Sequence, residues 1–385
     1  MLGTFLSDLA FLAVAIPAFL LLITVIIVVH ELGHFIAARL CGVTVSAFSL
    51  GFGKEIVAFV DRQGTRWRLA WLPLGGYVKF VDDDNIASAP TTSEEQDQDR
   101  ASVPPEVLKG YYRDKPVWQR MIIAAAGPVA NFLLAIVVYT GVYAAFGEPI
   151  APVRIDVVSP GKPAERAGLK VGDIIESIDG RFVENVGDLQ MIITTSVDRQ
   201  LNFHIDRNGQ KLDIKATPEM GEISDGLGGK ASVGLIGITL ITKASEVTTR
   251  SYSLPAALWR GTQKVEGIIE GSIRGIWDLL RLRQSVGQLA GPTKIAEVTG
   301  HVALAGVTPV LEWLAFLSTA IGLTNLIPIP ILDGGHLVFL ALEAIRGRPL
   351  HARTQEMAFR VGLALVLMLL VYTTVSHLFS PWLQG

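Results

Sequence analysis

Charge and sulfur are both scarce in this sequence. Only 18% of the residues are Asp, Glu, Lys or Arg, and the formal net charge is −3. No basic face or stripe stands out, which excludes nucleic acid as a partner. The single cysteine, Cys41, excludes an internal disulfide and any cysteine-rich metal site. It reads as a small residue at a helix end. Lys and Arg are also missing from both ends: none precedes Arg39 and none follows Arg360. The first apolar run therefore has no basic leader. It also lacks a small-residue cleavage site and is too long for a cleavable signal peptide, so a retained span is expected.

What is present is apolar. Half the residues are hydrophobic and the mean hydropathy is +0.43, with several runs long enough to cross a bilayer. Four spans are expected: 1–40 (apolar from Leu9 to Leu40), 121–147, 308–346 with a break, and Met357 to His377 within 347–385. Basic residues gather between Arg39 and Arg120 and again at Arg346, Arg348, Arg353 and Arg360. Positive charge marks the cytoplasmic links, so both termini are expected outside.

The link 41–120 divides in two. From Val45 to Phe80 it reads as strands, with alternation over Arg66–Trp71 and a turn at Leu72-Pro73-Leu74-Gly75-Gly76. From Asp82 to Pro105 it is acidic and rich in Ser, Thr, Gln and Pro, which predicts a mobile loop. Outside the membrane, 152–243 shows short strands and turns. The segment 244–307 is helical in pattern, and Trp259, Ile268, Ile269, Ile273, Ile276, Leu279 and Leu280 give a face for a membrane surface or for the helical bundle. The expected fold is a polytopic α-helical membrane protein with four transmembrane helices. A membrane-associated β-hairpin region lies on its cytoplasmic side, and an α+β domain is inserted on the other.

His30-Glu31-Leu32-Gly33-His34 carries the chemistry. Residues four apart share a helix face, so two imidazoles can hold one zinc ion (Zn2+), and the Glu is placed to take a proton from the attacking water. These ionisable groups follow the apolar run Leu20–Val29, where such groups are expensive and mark function. A catalytic zinc needs a third protein ligand. Asp333 is the candidate, set in the Pro- and Gly-broken stretch Asn325 to Gly335. Irregular backbone at that depth is tolerated only where protein or a cavity surrounds it. His30 lies 9 residues before Arg39 and Asp333 lies 13 before Arg346. These are depths of roughly 14 and 20 Å from the basic anchors. His336 is a rival third ligand, ranked lower because two histidines and one carboxylate already complete a hydrolytic site.

Four motifs together resemble the bacterial site-2 proteases of the regulator-of-sigma-E type. They are His30 to His34, Leu74-Gly75-Gly76-Tyr77-Val78, Gly127-Pro128-Val129-Ala130-Asn131-Phe132, and Asn325 through Gly335. Ser159 to Ile175 and Val233 to Ile238 resemble the helix-and-turn core and carboxylate-binding loop of a permuted PDZ domain, present once where the relatives carry two. The resemblance implies zinc on His30, His34 and Asp333, with Glu31 as general base. Asn325 would hold the substrate backbone or oxyanion beside it, and Gly127, Pro128 and Asn131 would serve packing and positioning. It further implies a multi-pass protein of the bacterial inner membrane, with the PDZ domain outside. Its substrates would be single-span membrane proteins already shortened by another protease, or remnant signal peptides. Peptide C-termini would be possible ligands of the PDZ domain. An extended substrate could be held by adding a strand to the hairpin between Gly51 and Tyr77. A silent PDZ-bearing scaffold is disfavoured because it has no use for intramembrane ionisable groups. A metal or proton transporter is disfavoured by the lack of inverted repeats.

Overall fold

A long apolar run in hydrocarbon must pair every backbone N–H and C=O within itself, which leaves it only the helix. The computed structural model describes residues 2–82, 110–150, 152–183, 186–224, 230–241, 248–280 and 291–383. Helix α1 (Leu2–Leu40) leads into strands β1 (Val45–Val60) and β2 (Arg66–Phe80), then α2 (Val117–Ala145). Next come β3 (Glu148–Ile150), β4 (Val153–Val158), α3 (Pro163–Ala167), β5 (Ile174–Ile178), β6 (Arg181–Phe182) and α4 (Val186–Thr194). Strands β7 (Leu201–Arg207), β8 (Gln210–Ala216), β9 (Glu219–Ser224), β10 (Lys230–Leu235), β11 (Ile238–Ile241) and β12 (Thr248–Arg250) follow. The chain ends in α5 (Leu254–Leu280), α6 (Pro292–Ala305), α7 (Val307–Asn325), α8 (Asp333–Arg346) and α9 (Ala352–Leu383). Four of these helices have stretches long and apolar enough to cross a membrane: Leu9–Leu40, Val117–Ala145, Val307–Asn325 and Arg353–Val375. The acidic loop expected from Asp82 to Pro105 lies, beyond Asp82, outside the described residues.

The chain divides into two compact units. The first holds residues 1–139 and 291–374. Its strands keep the expected turn over Leu72–Gly76: β2 reverses direction there, with Gly75 at φ +134°, and runs on to Phe80. Phe48 consequently stands opposite both Val78 and Trp67, while Val57 to Val60 pair with Leu69 to Arg66. The inner half is anchored by Val45, Phe48 and Val78, which pack with Ala38 of α1 and Ile123 of α2. The outer half exposes Ile56, Val57, Phe59, Val60, Trp71 and Leu72.

The expected single broken span over 308–346 resolves into two helices. After Asn325 the chain stays non-helical to Leu332, because Pro328 and Pro330 have no N–H to give a helix, and it restarts at Asp333. Helix α8 has 14 residues, about 21 Å, less than the ~30 Å of a hydrocarbon core. Near its far end Glu343 accepts from Arg120 at the start of α2, at 3.1 Å for the longer contact.

The second unit holds residues 140–290 and 375–385. Its main sheet runs β11-β4-β5-β7-β8, with β6 on β5. Strand alternation sends Leu201, Phe203 and Ile205 inward, where they meet Ile155, Ile175 and Ile178 and the α4 residues Leu189 and Ile193. The segment 244–307, expected to be helical in pattern, contains α5 and α6 after the short strand β12, and α6 belongs to the first unit. Helix α5 buries Ala257, Val265 and Ile268. Ile268 thus sits on the packed side, whereas Trp259, Ile273 and Ile276 stay exposed.

Candidate metal centre and active site

On α1, His30 and His34 stand one helical turn apart and turn their Nε2 atoms to the same point, 3.2 Å from each other. Asp333, in the first turn of α8, brings one carboxylate oxygen to each imidazole. Its Oδ2 is 3.1 Å from His30 Nε2 and its Oδ1 is 3.4 Å from His34 Nε2. Among the described residues this is the one group of three or more His, Cys, Asp or Glu able to hold a metal ion. The remaining nitrogen of His34 faces the carbonyl of Ile123 at 2.8 Å. A carbonyl only accepts, so Nδ1 carries the hydrogen and the Nε2 lone pair points at the group.

The geometry suits zinc. Bonds of about 2.0–2.1 Å in a tetrahedral site set ligand atoms about 3.3 Å apart, and the three separations bracket that value. Asp333 Oδ2 gives a second test. Although it lies close to His30 Nε2, it receives no hydrogen bond, and it is the only carboxylate oxygen among the described residues left buried in that condition. Lone pairs converging on one point at membrane depth repel unless a cation joins them.

Helix α2 closes the site from the side. A Cβ on Gly127 would run into the Nε2 of His34 and come within 2.8 Å of His30 Cε1, so only glycine lets α2 lie against both imidazoles. From the hairpin side, the N–H of Val78 donates to the Glu31 carboxylate. A Cβ on Gly76 would meet Ser49 O at 2.8 Å and Glu31 Cγ at 3.1 Å. The segment Gly76–Phe80 pairs with Val45–Leu50 along one edge, and its other edge faces α1 at Glu31.

Asn325 closes α7 and is half-buried, with no hydrogen bond to His30, His34 or Asp333. His336 is not part of the three-residue group and its side chain is exposed. Ile123 and Val78 act through main-chain atoms, which the residue types do not announce. Gly127 was visible only as part of a Gly-Pro pair.

The sequence matches Peptidase family M50 over residues 18–369. A relative from Rhizobium meliloti, named as a zinc metalloprotease, is 38% identical over 370 residues, covering 96% of this chain and 97% of its own. A metalloprotease of Caulobacter vibrioides is 34% identical over 394 residues, covering 95% of each. Among solved structures, a PDZ domain of an SdrC-like protein from Listeria monocytogenes is similar at 21% identity and a TM-score of 0.20, over 24% of this chain and 88% of that one. A family match across most of the chain, with relatives of full length, leaves one assignment: the chain belongs to Peptidase family M50, the site-2 proteases, and is a multi-pass zinc metalloprotease of the membrane.

Proposed function

We propose that this metalloprotease is an intramembrane endopeptidase, cutting the transmembrane segments of single-span proteins already shortened by another protease. The observation that carries the reading is the edge of Gly76–Phe80 beside Glu31, which pairs with no further strand among the described residues and lies next to three ligand atoms gathered from α1 and α8. A helical substrate hides its peptide bonds, so it must be unwound and held extended before cleavage. A strand edge does this by main-chain hydrogen bonding, and the apolar outer half of the hairpin suits a place in lipid.

In this reading His30, His34 and Asp333 hold zinc. When bound, zinc polarises the peptide carbonyl and makes water a usable nucleophile at neutral pH. Glu31 takes the proton of the attacking water and passes it to the leaving amide nitrogen. Gly127 keeps the imidazoles in place, and Asn325 steadies the peptide backbone or the oxyanion. The PDZ-like sheet domain takes peptide C-termini. The basic links lie in the cytoplasm and the termini and sheet domain outside the bacterial inner membrane, in keeping with the charge placement.

The test is Glu31→Gln in full-length protein, with a shortened single-span reporter in the same membrane. Cleavage should fall by roughly 10²–10⁴-fold while zinc content stays at the parent level. Cleavage at the parent rate would remove Glu31 from the mechanism.

A further inference from the structure

Asn131 lies on α2 with no exposed surface, and a buried amide costs stability unless its donors and acceptors are met. As placed, its Nδ2 is 3.3 Å from His30 Nδ1, while its Oδ1 is buried and without a partner. Turning the carboxamide over about its last bond exchanges the two atoms. The oxygen then accepts from His30 Nδ1–H, and Nδ2 takes the buried place the oxygen held. With the hydrogen on Nδ1, the His30 Nε2 lone pair faces Asp333 and His34. This is the arrangement that the Ile123 carbonyl already imposes on His34. In the opposite orientation His30 must carry its hydrogen on Nε2, where it blocks a metal.

We propose that Asn131 is the positioning residue for His30, its carboxamide oxygen fixing the imidazole as an Nε2 ligand. One helix thereby orients both histidines, through a main-chain carbonyl at Ile123 and a side-chain carbonyl two turns on. The turn that carries Asn131 is itself held by α7. Ser318, fully buried, donates to the Asn131 carbonyl oxygen at 2.8 Å, and Gly322 lets α7 approach until an added Cβ would be 3.1 Å from Asn131 Cβ. Residues that orient a metal-binding imidazole typically contribute 10–100-fold to affinity.

This inference rests on the zinc-site reading above, and the experiment separates the two. Zinc affinity is measured on the full chain in detergent by competition with a chelator, for the parent, His30→Ala, Asn131→Leu and Asn131→Asp. The parent should bind one zinc that His30→Ala loses. Asn131→Leu, similar in volume but without an acceptor, should weaken zinc by about 10–100-fold while the metal-free chain keeps its helix content. Asn131→Asp restores an acceptor oxygen and should bind at least as tightly as the parent. Parent-like affinity in Asn131→Leu overturns the inference and leaves the zinc site standing. So does a loss in Asn131→Asp equal to that in Asn131→Leu. If Asn131→Leu does not fold, Asn131→Asp decides alone: weakened zinc binding in a folded chain refutes the role. A parent that binds no zinc refutes both readings.

Discussion

Asp173 in the sheet unit and Asp333 in the helical unit are both aspartates largely withdrawn from water, and their surroundings differ in kind. Asp173 gives one oxygen to Arg207 Nε and the other to Arg207 Nη2, each at 2.7 Å, and accepts the Lys170 N–H as well. Glu148, in the same unit, is held likewise by Arg260 at 2.9 and 3.0 Å and by the Tyr252 hydroxyl. Asp333 faces two imidazoles and has no guanidinium or ammonium paired with it among the described residues. Where the fold supplies the counter-charge, a buried carboxylate serves architecture. Where it supplies only further ligand atoms, neutralisation is left to an ion.

The sharpest way to break this contrast is to neutralise each aspartate. Asp333→Asn should lose bound zinc. Cleavage should fall by at least the roughly 10²–10⁴-fold expected for removing the base. Its metal-free form should unfold no more easily than the metal-free parent, since a buried charge has been removed. Thermal scans with and without chelator read this. Destabilisation of that metal-free form would mean Asp333 is structural after all.

Asp173→Ala should show the reverse pattern. It strands Arg207 and should destabilise the sheet unit by about 3 kcal/mol, the low end for a broken buried pair because Arg207 keeps some water. Zinc binding should stay at the parent level. Hydrogen exchange over β5 and β7, alongside zinc content, measures both halves of the statement.

The smallest effect concerns acid. Burial pushes the Glu148 carboxyl up, but its bonds to Arg260 and Tyr252 more than offset this and hold it below the usual carboxylate range. A lowered folded-state value means the ion pair contributes stability above about pH 4.3, the unfolded value for Glu. That contribution is lost as pH falls through the folded value beneath it. The protection factors of amides at the start of α5, exchange rates taken relative to the intrinsic rate at each pH, should therefore fall in acid for the parent. In Glu148→Gln they should already be lower at neutral pH and change little on acidification. A parallel pH response in both would disconnect Glu148 from the docking of α5.

This contrast also marks what could be read from the sequence. The His30–His34 spacing is a helical period, and the depth of Asp333 follows from counting back to Arg346, so side chains on regular elements were legible. The partners that orient them were harder to see. Ile123 and Val78 contribute main-chain atoms available at any residue type, and Asn131 reaches His30 only because α2 crosses α1 where Gly127 permits it. The reversal of β2 was legible in the turn composition of Leu72–Gly76, but the sequence did not say which segments it brings together. Only the pairing of Phe48 with both Val78 and Trp67 decides that. On α5, an apolar residue says that it leaves water but not for what, so Ile268 and Ile273 looked alike.

The short helix α8 has a mechanical consequence. It is a beam with two supports: Asp333 at the metal centre and Glu343 on Arg120, ten residues apart, or about 15 Å. Between them, Gly334 and Gly335 lie so close to the Leu326–Pro330 backbone that an added Cβ would collide with it. The helix is therefore gripped beside Asp333 as well as tied at Glu343, which resists its rotation and keeps the carboxylate in line with the imidazoles.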